Sequence, residues 1–214
     1  MKTKVIPVAL IAVLASGNAA AFDIGLGIKG GLLGYGPEVT AGLSEHFNVR
    51  LGQNTYSYKT EVEETDITYD GELDWKSTAL LLDWHPFAGT FRLTAGLVSN
   101  RNAIRLTATP TSNQTIGGTT YTPAQIGTLS GDVTFDKRVP YFGLGWGNAV
   151  GKGFPLGVNF EIGVLKQGSP KVNLSSSNTA VSQSDLDAEA REAEEDMSEY
   201  DTYPVIALGL SYRF

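Results

Sequence analysis

Leu208-Gly209-Leu210-Ser211-Tyr212-Arg213-Phe214 is the stretch that decides the fold class. Leu208, Leu210, Tyr212 and Phe214 fall on one side of an extended strand, while Ala207, Gly209, Ser211 and Arg213 fall on the other. Successive strand residues point to opposite faces, so this ribbon has one apolar, aromatic side and one small or polar side. Such a dyad repeat suits a strand whose outer face meets hydrocarbon and whose inner face lines a polar lumen.

Working outward, the same alternation recurs. Leu156, Val158, Phe160, Ile162 and Val164 alternate with Gly157, Asn159, Glu161, Gly163 and Leu165. Pro140, Phe142, Leu144 and Trp146 alternate with Tyr141, Gly143, Gly145 and Gly147. Phe91, Leu93, Ala95 and Leu97 oppose Arg92, Thr94, Gly96 and Val98, and Thr78, Leu80, Leu82 and Trp84 oppose Ser77, Ala79, Leu81 and Asp83. Phe47, Val49 and Leu51 face away from Asn48, Arg50 and Gly52; Val39, Ala41 and Leu43 from Glu38, Thr40 and Gly42; Ile24, Leu26 and Ile28 from Gly25, Gly27 and Lys29. The total is eight strands, an even number that closes an antiparallel transmembrane β-barrel with both chain ends on one edge.

The connections are of two kinds. Segments 44–46, 85–89 and 149–153 are short and belong on the periplasmic side, whereas 59–73, 107–133 and 173–202 are long and belong outside. Trp84 and Trp146 fall on the outward face beside the short turns, where an aromatic girdle is expected. A soluble eight-stranded barrel is the competing architecture, but its outward face would be polar.

The ends of the chain agree with this reading. Leu210, Tyr212 and Phe214 resemble the carboxyl-terminal β-signal by which Gram-negative bacteria recognise barrels for insertion, with Ala207 where that pattern has a polar residue. Lys2 and Lys4, the apolar run 5–14 and Ala19-Ala20-Ala21 have the layout of a secretory signal peptide. Residues 1–21 are read as that signal and 22–214 as the barrel, which places the protein in the bacterial outer membrane. Removing Lys2 and Lys4 takes the formal charge from −7 to −9.

Chemistry is sparse. There is no cysteine, hence no thiolate nucleophile or disulfide. Gly25-Leu26-Gly27-Ile28-Lys29-Gly30 matches G-x-G-x-x-G but lacks the strand before it and the helix after it that nucleotide binding requires. The two histidines, His46 and His85, lie in predicted turns away from any catalytic grouping. No enzymatic activity, metal, cofactor or nucleic-acid partner is expected.

The lumen and the loops carry the candidate sites. Inward positions hold Lys29, Arg50, Arg92 and Arg213 with Glu38, Asp83 and Glu161, and the 86-centred turn sets Asp83 opposite Arg92. These charges plug the barrel or line a path; the many inward glycines leave space for a path or relieve strain. Segment 59–74 carries seven acids against Lys59, a net of −6, and segment 185–201 nine acids against Arg191, a net of −8. The rest of the mature chain is therefore +5, so the acidic mouth, including Glu192, Glu194, Glu195 and Asp196, would gather cations or divalent ions with lipopolysaccharide. Ser184 and Asp187 form a candidate capping box for a helix whose stripe is Leu186, Ala190, Ala193 and Met197, expected to rest on the barrel mouth.

Pro140-Tyr141-Phe142-Gly143-Leu144-Gly145, the run Gly168-Ser169-Pro170-Lys171-Val172-Asn173-Leu174, the acidic alanine-rich helix and Tyr203-Pro204-Val205 resemble the CarO-type family of small outer-membrane barrels. The resemblance is clearest over 139–214 and implies uptake of ornithine and other basic amino acids, with passage of carbapenems. The leading expectation is a passive channel for small cationic solutes. Its alternative is a non-conducting structural or surface-interaction barrel. Either would meet outer-membrane lipid, lipopolysaccharide and the barrel-assembly machinery.

Overall fold

The computed structural model describes residues 23–64 and 67–214; the expected signal segment lies outside the described residues. Eight strands close the barrel: β1 (Ile24–Gly31), β2 (Gly34–Gly42), β3 (Phe47–Glu64), β4 (Ile67–Trp84), β5 (Phe91–Asn100), β10 (Arg138–Trp146), β11 (Leu156–Lys166) and β13 (Thr202–Arg213). Each pairs antiparallel with its neighbour in that order, and β13 returns to β1 with Leu26 opposite Tyr212 and Ile28 opposite Leu210. All eight alternating segments are barrel strands. Their outward residues form a continuous apolar belt, with Leu80, Leu97, Phe142, Val158 and Leu208 each more than half exposed. Side chains that water would not tolerate in such density need a hydrocarbon surround.

At the short-turn end the belt finishes in stacked aromatics. Phe91 lies 5.7 Å from Trp146, which lies 6.1 Å from Phe160. Trp84 is on the same outward face.

The long connections are folded, not open loops. A membrane strand needs about 9–11 residues, yet β3 and β4 have 18 each and stay paired to Glu64 opposite Ile67. Segment 59–73, expected as a loop, is therefore the upper half of a hairpin. Three further strands extend it sideways: β6 (Ala103–Pro110) pairs with β4, β9 (Leu129–Thr134) with β6, and β12 (Lys171–Ser176) with β9. The small hairpin of β7 (Gln114–Ile116) and β8 (Thr119–Tyr121) and the single-turn α1 (Pro123–Ile126) complete this superstructure.

Helix α2 (Gln183–Asp196) lies across it. Leu73, Ile104, Val133 and Val172 form one cross-strand row, and Ala190, Ala193 and Met197 pack on its far end. Leu186 instead enters a second small core with Ile116, Tyr121, Ile126 and Val181. The apolar stripe is the one expected, but its seat is the added sheet and not the barrel mouth. The cap also differs. Ser182, extended at φ −70° and ψ 143°, accepts from the Asp185 amide at 3.2 Å, while Ser184 lies inside the helix. Asp187 accepts from Gln183 Nε2 one turn back.

Candidate functional site: the lumen

Strand parity turns Lys29, Glu38, Arg50, Asp83, Arg92 and Glu161 into the barrel, and the structure brings all six together. Arg50 is the hub. Its Nη1 donates to Glu38 at 3.3 Å and its Nη2 to Asp83 Oδ1 at 3.0 Å, and Nη2 also reaches Glu161. Arg50 Nε stands 2.6 Å from Asp83 Oδ2 as an ion pair, at an angle outside hydrogen-bonding geometry. Lys29 Nζ closes one end on Glu38 at 2.6 Å, and Arg92 Nη2 closes the other on Glu161 at 2.9 Å. Three cations meet three carboxylates, so the cluster is neutral. Remaining lone pairs are met by Thr94, which donates to Asp83 at 2.7 Å, and Tyr141, which donates to Glu161 at 2.7 Å. Neutrality, with every carboxylate bonded, is what charges out of bulk water require.

One expected contact is corrected. Asp83 lies opposite Thr94 and Trp84 opposite Leu93, two residues from the register the turn suggested. Phe91 and Arg92 pair only with β10, opposite Trp146 and Gly145. The stagger of a closed barrel is shared by all its strands, so it overrides the shortest local hairpin. Asp83 and Arg92 meet only diagonally at 3.7 Å, and Arg50 is the nearer partner of Asp83.

The inward glycines make room for neighbours. A Cβ on Gly145 would sit 3.1 Å from Arg92 Cζ, and one on Gly52 3.2 Å from Lys29 Nζ. At Gly163 and Gly143 it would fall 2.3 and 2.6 Å from Tyr141 Oη. The space that absent side chains suggested is occupied by adjacent ones. Beside the cluster lies a cavity of about 20 Å³, with a second of about 20 Å³ above it, each near the room one water needs.

Two more layers of inward side chains lie above and below the charges. Above the charges, Leu33, Leu81, Val98, Val139, Tyr141, Leu165 and Val205 form an apolar plug, with Trp75 and Tyr203 packed on it. Below them, His85 is fully buried. Its Nδ1 lies 2.8 Å from the Gly89 carbonyl and its Nε2 3.0 Å from Asn48 Nδ2. A carbonyl only accepts, so this network assigns the proton to Nδ1 and leaves Nε2 to accept from the Asn48 amide. Asn48 also donates to Asn148 at 3.0 Å. Sequence reasoning treated His85 as a turn residue, but its parity with Asp83 and Leu81 already pointed inward. The apolar plug was legible by the same rule.

The other expected residues lie elsewhere. Arg213 is bound to turn carbonyls at the short-turn end, donating to Gly151 at 2.6 Å and Gly153 at 2.9 Å. Leu210, Tyr212 and Phe214 are outward and exposed, with the Tyr212 and Phe214 rings 5.1 Å apart. Glu192, Glu195 and Asp196 are exposed on α2, whereas Glu194 accepts from the Val172 amide at 2.8 Å and so covers the open edge of β12.

No family model and no curated protein matches the sequence. Solved structures do. The crystal structure of Acinetobacter baumannii CarO2 is similar at 23% identity and a TM-score of 0.59, over 90% of this chain and 98% of that one. That of Acinetobacter baumannii CarO is similar at 23% identity and a TM-score of 0.58, over 89% and 97%. At this identity the likeness speaks for architecture alone, and it agrees with the strand order found here. The chain has the CarO-type fold, a closed eight-stranded antiparallel β-barrel of the outer-membrane kind.

Proposed function

We propose that this protein is an outer-membrane barrel whose lumen is shut by its own side chains, and that its working surface is the sheet and helix above the barrel. The observation that carries this reading is the stack of three inward layers: the His85–Asn48–Asn148 bonds, the neutral ion cluster and the apolar plug around Tyr141 and Leu165. Cavities of about 20 Å³ admit a water but no amino acid. The outward belt and the aromatics at the short-turn end support insertion in lipid, with the short turns facing the periplasm. Leu210, Tyr212 and Phe214 then serve as the assembly signal read by the barrel-assembly machinery, and deleting Phe214 should deplete the heat-modifiable folded form in the membrane fraction.

Single-channel recording on purified protein in planar bilayers tests the closed lumen. The reading expects no conductance steps; stable steps would overturn it. A second reading is passive passage of small cationic solutes such as basic amino acids, supported by the net charges of −6 and −8 on segments 59–74 and 185–201. It requires Tyr141 and the Arg50 cluster to move aside. Liposomes would then admit lysine or ornithine faster than glutamate. That preference would weaken with salt, since mouth charges are screened over about 8–10 Å, and would fall on neutralising Glu192, Glu195 and Asp196.

A further inference from the structure

Strand β3 has an open edge above the barrel. β2 pairs with it only as far as Tyr35 opposite Thr55, and every residue from Tyr56 to Glu61 is exposed although the strand continues. The edge is regular enough to read. Cβ atoms built on Gly36 and Gly34 would strike the carbonyl oxygens of Gln53 and Thr55, so odd-numbered residues turn their backbone toward β2 and, beyond it, toward open solvent. Ser57, Lys59 and Glu61 therefore offer unpaired N–H and C=O groups. Natural edges are blunted by charge, and Lys59 alone would serve. Here, however, Glu61 follows on the same face, two residues on.

The charges on that face are unfinished. Lys59, Glu72, Arg105 and Asp132 run across the sheet with alternating sign, Lys59 to Glu72 at 3.3 Å and Arg105 to Asp132 at 3.4 Å. In the next row Glu61 lies opposite Asp70, a like-charge pair, and neither has an ion-pair partner among the described residues. A strand added at the β3 edge satisfies both rows if it sets an acid beside Lys59 and a base beside Glu61.

We propose that this strand is β3 of a second copy, paired antiparallel about Thr60. That register places Lys59 opposite Glu61 of the second copy and Glu61 opposite its Lys59. Both pairs are residues whose backbones face the edge, so each exchanges two hydrogen bonds. The register centred on Lys59 puts two lysines face to face, and the one centred on Glu61 puts two Glu61 side chains face to face and leaves that row without a base. The two-fold axis is perpendicular to the strand, and the barrels extend from the shared ladder in opposite directions. On the outer-membrane reading above, the two copies thus sit in facing membranes, not side by side in one.

Light scattering of the detergent-solubilised protein tests the pairing, and clustering of proteoliposomes tests its orientation. Wild type should dimerise. Lys59→Glu and Glu61→Lys should each weaken self-association by about tenfold, since each turns two favourable cross-strand pairs into like-charge pairs. A mixture of the two variants should associate again, as should the double reversal. Heat-modifiable mobility confirms that each variant folds. A wild type that stays monomeric at about 100 µM, a concentration that would fill any micromolar contact, overturns the proposal, and so does a dimer indifferent to both reversals. A charge-patterned dimer in detergent without clustering of vesicles keeps the pairing and overturns the facing-membrane arrangement, which separates it from failure of the strand contact itself.

Discussion

Strand β3 takes part in two sets of ion pairs, one inside the barrel and one on the sheet above it. Arg50 reaches Glu38 at 3.3 Å and Lys59 reaches Glu72 at 3.3 Å, yet the side chains are 5% and 13% exposed in the first pair and 74% and 30% in the second. Equal separation does not mean equal weight. The inner charges were withdrawn from water and share partners around Arg50, so losing one strands the others. The outer charges keep their hydration, and such pairs contribute about 0–1 kcal/mol. The comparison teaches that charge in this molecule acts as filler where it is buried and as address where it is exposed.

The sharpest way to break that contrast is Glu161→Gln. It leaves Arg50 and Arg92 short of a carboxylate, and unfolding in detergent should become easier by about 3–5 kcal/mol, the cost of opening a buried pair. A loss below about 1 kcal/mol, the surface range, would mean that the lumen is wetter than its packing indicates. Next, double-mutant cycles should find stronger coupling of Asp83→Asn with Arg50→Gln than with Arg92→Gln. The expected range is about 0.5–3 kcal/mol, and the order follows from contacts of 2.6 and 3.7 Å.

On the outer sheet, Arg105→Ala should cost under about 1 kcal/mol. Its side chain is 48% exposed and its pairs to Glu72, Asp74 and Asp132 span 3.4–3.8 Å. That small cost should shrink further in high salt, while the effect of Glu161→Gln should not. The smallest effect is expected at Asp185. Hydrogen bonds from the Tyr121 hydroxyl and then Thr119 hold its carboxyl below the ordinary value of 3.8. A depressed pKa adds stability above that value, and the contribution disappears as pH falls through the folded pKa. Hydrogen exchange should therefore speed up at the start of α2 at acid pH before it does in β11.

Much of this was legible in the amino-acid order. Period-two alternation revealed all eight barrel strands, because lipid on one side and a packed lumen on the other enforce it residue by residue. The same parity put Lys29, Glu38, Arg50, Asp83, Arg92 and Glu161 inside. It did not give their partners, since the pairing of β4 with β5 depends on the stagger of the whole ring and not on the turn between them. The added sheet was missed for a different reason. Ile104, Leu106 and Ala108, and Val172 with Leu174, do alternate, but they straddle the starts of segments 107–133 and 173–202, whose length reads as open loop. Nor could glycine content separate a filled lumen from an empty one. That required seeing Tyr141 lie across Gly143 and Gly163.

The seam between β1 and β13 has a kinetic consequence. Gly25 through Gly31 pair with Arg213 through Ala207, so the ring joins opposite ends of the described chain. Contacts of such high sequence separation are slow to form, because the loop entropy must be surrendered before the ladder returns anything. Until then β1 and β13 both expose unpaired edges, the features most prone to join the wrong neighbour. The last strand to appear is thus the one that ends this hazard, and a folding intermediate with six or seven strands in place remains as sticky as one with two.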